Sequence, residues 1–167
     1  MKKLVLFISI VVASAFFSSN ASAQGKYGAD SVECIKYLSY YTEYYKQKNY
    51  EAALPNWRKA YALCPPTARY SLLTDGTTLL RREISKSTTS PEYKKKLIDS
   101  LMTIYDQRVE FWPKYKVASL NNQALDMYNY MKNDNQELYS GLSKVIAANG
   151  SNTKPNIFLF HFNAAVN

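Results

Sequence analysis

One histidine, two cysteines and five glycines are all that the 167 residues hold of those types. Each scarcity removes a class of chemistry. The lone histidine, His161, stands between Phe160 and Phe162 and has no partner at metal-ligand spacing, so a packing or interface role is expected of it. Cys34 and Cys64 lie too far apart for a paired CxxC motif. There is no Gly-rich phosphate loop and no G-x-S-x-G element. Asp99, Asp106 and Glu110 share one predicted helix, but no nucleophile or base accompanies them. A solvated helix face is the expected reading of that trio. The sequence therefore argues against an enzyme, and neither cofactor nor metal is expected. No segment alternates as a strand does, and none is of low complexity.

Charge of one sign is also in short supply, with 13 Asp and Glu against 21 Lys and Arg. The only long apolar run is Leu4 to Phe17. It follows Met1-Lys2-Lys3 and leads to Ala21-Ser22-Ala23, the layout of a secretory signal peptide cleaved before Gln24. The run is shorter than the roughly 20 residues of a membrane-spanning helix. Export to a bacterial periplasm, or secretion, is expected, with no transmembrane segment left after cleavage. Losing residues 1–23 removes two of the basic residues and none of the acids, which leaves a net charge of +6. Export also takes nucleic acid off the list of expected ligands.

What is abundant is helical periodicity and tyrosine, 15 in all. After a loose polar lead (24–33), Asp30 is expected to cap a helix over 31–47. Lys48-Asn49 breaks it, and Asn49 caps a second helix over 50–63 that Cys64-Pro65-Pro66 ends. Thr67 is expected to cap a third over 68–86, with Gly76 a weak point inside it. Ser90-Pro91 opens a fourth over 91–111. A fifth spans 115–132, Asp134 opens a sixth that stops at Gly150, and a seventh covers 156–166. The class is all-α.

Ala53-x3-Trp57-x2-Ala60-x4-Pro65 is the most specific spacing in the chain. With Tyr37, Tyr40 and Tyr44 on the preceding helix, it resembles a tetratricopeptide repeat, of the kind seen in uncharacterised exported repeat proteins of diderm bacteria. Tyr41 departs from that pattern, standing where the family prefers a small residue. The resemblance is full over 34–67. It is degenerate over 68–113, where Leu101, Tyr105, Arg108 and Pro113 keep the spacing. Over 114–152 it is architectural only, and 153–167 resembles the first helix of a further repeat. It implies a right-handed α-solenoid of about three antiparallel helix pairs plus a lone C-terminal helix.

The same resemblance implies packing roles for Tyr37, Tyr44, Ala53, Trp57, Ala60 and Pro65. It implies a concave protein- or peptide-binding groove at Leu38, Thr42, Tyr45 and Lys46. Cys34 and Cys64 sit at the neighbouring ends of an antiparallel pair, and a disulfide and two separate buried thiols both fit. Lys86, Arg81-Arg82 and Lys94-Lys95-Lys96 surround the polar loop 87–90, most simply as a solvated basic face.

The final apolar segment implies an array continuing past Asn167, a helix that folds back, or self-association through residues 157–166. Two further readings accompany the scaffold: a carbohydrate-binding component that stacks sugars on exposed tyrosines, and a purely structural N-terminal part of a larger protein.

Overall fold

The computed structural model describes residues 25–166; the signal-peptide reading of residues 1–23 lies outside them. Among the described residues seven α-helices follow one another: α1 (Ser31–Lys46), α2 (Tyr50–Leu63), α3 (Tyr70–Ile84), α4 (Pro91–Phe111), α5 (Lys116–Met131), α6 (Asn135–Asn149) and α7 (Pro155–Val166). Short 3-10 turns at Pro113–Tyr115 and Gly150–Asn152 precede α5 and α7. There is no strand among the described residues. Each helix packs on its chain neighbours, most extensively α1 on α2.

The starts and stops follow local chemistry. Asn49, Ser90 and Asp134 each accept a hydrogen bond from a first-turn backbone N–H, at 3.2, 3.3 and 2.9 Å. Each such cap is worth about 1 kcal/mol. Lys48 takes a left-handed conformation, φ +59°, to reverse the chain between α1 and α2. Two expected caps are corrected. The Asp30 side chain makes no cap bond. Thr67 lies outside α3, which opens after an extended Arg69. The expected loose lead is corrected too: Tyr27 packs on the core, and Gly28, at φ +77°, lies against the Pro65 ring.

The side chains form two apolar clusters. One gathers α1 to α4, and the other gathers α5, α6 and α7. Met102 of α4 touches both. In the first cluster the small–large–small ladder is buried: Ala53, Trp57 and Ala60 face inward. The Trp57 indole donates to the Leu72 carbonyl at 2.7 Å and stacks on Tyr61. It enters α3 at Gly76, where a Cβ would stand 2.3 Å from the ring. The glycine read as a weak point is therefore the notch that admits the tryptophan.

The register of α1 differs from expectation. Cys34, Leu38 and Tyr41, spaced i, i+4 and i+7, are its buried residues. Cys34 is bonded to Cys64 at the far end of α2. Holding Cys34 against α2 turns the Tyr40 and Tyr44 stripe outward. Tyr44 is therefore no packing residue; it is 37% exposed. Tyr37 stays half-buried, its hydroxyl accepting from Lys59 at 3.3 Å. Pro65 is half-buried beneath Gly28.

Tyr41, fully buried, points its hydroxyl at the Asp75 carboxylate of α3 at 3.4 Å. Burial pushes the Asp75 pKa up to about 6, against the opposing pull of the Tyr41 hydrogen bond. A carboxyl raised on folding favours the folded state at low pH, and that contribution is lost as pH rises through about 6. Asp75→Asn should therefore stabilise the protein at pH 7.5 and leave it unchanged at pH 4. The gain should be about 1 kcal/mol after discounting for partial exposure. Urea melts at the two pH values measure the difference.

Candidate functional site

Joining the two clusters places α3, α4 and α5 around a polar knot. Arg81 of α3 donates through Nε to both carboxylate oxygens of Asp126 on α5, at 3.0 and 2.9 Å. Its Nη2 donates to the Tyr105 hydroxyl of α4 at 2.6 Å, and that hydroxyl donates on to Asp126 at 2.9 Å. Burial, then the Asp126 charge, raise the Tyr105 pKa well above the usual phenol range, so the hydroxyl keeps the proton it donates. Arg108, one of the residues that keep the repeat spacing on α4, is buried. Its guanidinium lies over the Tyr70 and Tyr105 rings, and Nη2 bonds the Tyr70 hydroxyl at 2.9 Å. These bonds set α5 against α4 and so fix the walls of what lies beside them.

That neighbour is a groove of about 870 Å³ between α4, α5 and α6. Along α4, Asp99, Asp106 and Glu110 line it together with Met102 and Val109. The spacing of these residues is that of one helix face. Asp134 and Glu137, at the start of α6, line the opposite wall. Five of the chain's 13 acids thus border one groove, against a single lysine, Lys144.

The apolar part of the lining is equally selective. Met102, Met127 and Met131 lie in the groove, and they are every methionine after Met1. Gly141 of α6 lets Met127 approach; a Cβ there would meet the sulfur at 3.0 Å. Gln123 donates to Asp106 at 2.9 Å and orients it. Asp134 also caps α6, and Glu137 sits in its first turn, where the helix dipole favours an anion. Methionine is unbranched and polarizable, so a surface built from it adapts to an apolar partner. A rim of carboxylates around such a surface complements a cation.

The residues expected to line a groove lie elsewhere. Leu38 is corrected to a core residue, buried because the disulfide fixes the rotation of α1. Thr42 is half-buried: its hydroxyl donates to the Leu38 carbonyl at 2.6 Å and accepts from Arg69. Tyr45 packs edge-on to Tyr50, and Lys46 is exposed. None of the four borders the groove of α4, α5 and α6. Asp99, Asp106 and Glu110 are exposed, as a solvated face is, and they also border this groove along α4. No signal in the sequence announces the three methionines, because α4 and α5 become neighbours only through the fold.

Much of the basic surface near loop 87–90 is engaged. Arg81 is held by Asp126, Arg82 lies over the Tyr50 ring, and Lys86 pairs with Glu83 at 2.8 Å. His161 stacks on Tyr139, and its Nε2 lies 2.8 Å from the Ser143 hydroxyl. Among the described residues no three His, Cys, Asp or Glu are grouped to hold a metal ion, and no helix is long and apolar enough to cross a membrane. No family model, curated protein or solved structure matches this chain.

Proposed function

We propose that this chain is an exported binding scaffold of tetratricopeptide-like helix pairs, and that its groove receives a basic amphipathic segment of a partner protein. The observation that carries this reading is the pairing of five acids with three methionines around one groove, in a chain that is otherwise basic. The methionines supply adaptable apolar contact, and the carboxylates select a cationic partner and reject an acidic one. The groove is lined by α4 and α6, the second helices of their pairs, together with α5, a first helix, and it lies away from the α1 residues that the repeat resemblance implies.

A fluorescent amphipathic helix of lysine and leucine serves as the probe. Its anisotropy should rise saturably with the protein, and binding should weaken with salt because exposed charges are screened. Replacing Asp99, Asp106 and Glu110 with Asn, Asn and Gln should weaken binding about 10–100-fold, three exposed pairs at up to about 1 kcal/mol each. An equal loss with the wild-type protein and an all-glutamate, leucine-patterned probe is expected. Binding that the triple variant retains in full would sink the proposal.

One observation favours a second reading. Tyr40 and Tyr44 stand exposed one turn apart on α1, a ring pair suited to stacking on sugar. Saturable glycan binding that Tyr40→Ala and Tyr44→Ala abolish would favour that reading over the scaffold.

A further inference from the structure

The last helix presents a second surface, separate from the groove. α7 contains no Asp, Glu, Lys or Arg. Its inner side is used: Ile157 and Ala164 are buried, and Phe160 stacks on Tyr128 of α5 at 3.8 Å. Its outer side is apolar as well. Phe158, Leu159, Phe162 and Val166 are 47, 58, 61 and 62% exposed. At about 100° per residue these four fall within an arc of roughly 100°, a single continuous stripe.

The charge nearest the stripe in sequence has one sign. From Leu138 to Val166 the chain has no acid, while Lys144 and Lys154 are present and exposed. Asn121 of α5 fastens the turn before α7. It donates to the Asn152 carbonyl at 3.1 Å and accepts from the Lys154 backbone at 2.9 Å. This brings the start of α5, with exposed Lys116 and Val117, to the same end of the molecule. Lys154 lies one turn before Phe158 and so flanks the stripe.

We propose that this end of the molecule docks on an anionic lipid surface, with Phe158, Leu159 and Phe162 entering the interface and Lys154 and Lys116 on the headgroups. An apolar helix face bordered by lysine has the chemistry of interfacial binding. At 12 residues α7 is too short to span a bilayer, so it lies on the surface. A second copy of this chain fits less well. Its own stripe, within residues 154–166, brings no acid to pair with Lys154.

Sedimentation with vesicles tests this. The protein should pellet with vesicles of phosphatidylcholine and phosphatidylglycerol, and much less with phosphatidylcholine alone. Leu159→Ser together with Phe162→Ser should lower the partition coefficient at least tenfold, since each removes apolar area from the interface. Lys154→Gln should lower it about fivefold. Both variants change exposed side chains, so their melting curves should match the wild type. Equal pelleting of the wild type and the serine variant, or no pelleting with anionic vesicles, overturns the proposal. A dimer in sedimentation velocity that the serine variant abolishes, without vesicle binding, assigns the stripe to a second copy instead. None of these outcomes bears on the peptide groove.

Discussion

Trp57→Ala should cost about 3–5 kcal/mol, the range for deleting a large buried aromatic. The loss has three parts. The indole leaves a cavity between α2 and α3, the Tyr61 ring loses its stacking partner, and the Leu72 carbonyl loses a 2.7 Å donor. Gly76→Ala tests the same contact from the other side. Alanine is ordinarily better than glycine in a helix by about 1 kcal/mol. Here its Cβ would stand 2.3, 2.6 and 2.9 Å from three atoms of the indole. The ring is 3% exposed and wedged between helices, so it cannot swing aside. Overpacking of this kind costs about 1–3 kcal/mol and outweighs the gain in propensity. The pair Trp57→Ala and Gly76→Ala should be markedly non-additive, because the clash needs the ring. Chemical denaturation of the three variants measures this, and additive losses would contradict the notch.

Replacing Cys34 and Cys64 together with alanine should lower stability by about 3–4 kcal/mol, the chain-entropy value for closing a loop of this size. The bridge links the first turn of α1 to the end of α2. It also sets the rotation of α1, so its loss should have a local signature. Leu38 and Tyr41 should gain hydrogen-exchange rate more than the helices of the second cluster do. Reducing agent should reproduce the double variant, and a melting temperature indifferent to reductant would contradict this account.

Helix positions were legible in the chain because their signals are local. Asn49, Ser90 and Asp134 are caps that act within three residues, and Pro113 and Gly150 fall at interruptions of the helical pattern. The small–large–small ladder was legible too, since Ala53, Trp57 and Ala60 repeat at helical spacing. The facing of α1 was not. Tyr37, Tyr40, Tyr41, Tyr44 and Tyr45 offer aromatic stripes on several sides, and local periodicity cannot choose among them. The long-range bond to Cys64 goes with the side that carries Cys34, Leu38 and Tyr41.

The groove was half legible. Asp99, Asp106 and Glu110 share a face of α4 at helical spacing, but an acidic face is ordinarily only solvated. What gives it significance is the approach of Met127 and Met131 from α5, and of Asp134 and Glu137 from α6. That approach depends on the Arg81–Asp126–Tyr105 knot and on the bare backbone of Gly141. These contacts span many residues of chain and leave no local trace.

The methionines make the groove directly observable. After Met1, only Met102, Met127 and Met131 carry the residue, and all three line it. In protein labelled with carbon-13 at the methionine methyls, these three signals should shift together and saturably as the lysine–leucine helix is added. The shifts should vanish in the variant lacking the Asp99, Asp106 and Glu110 charges. Peptide binding that leaves the three methyl signals unmoved would contradict the assignment of the groove as the binding site.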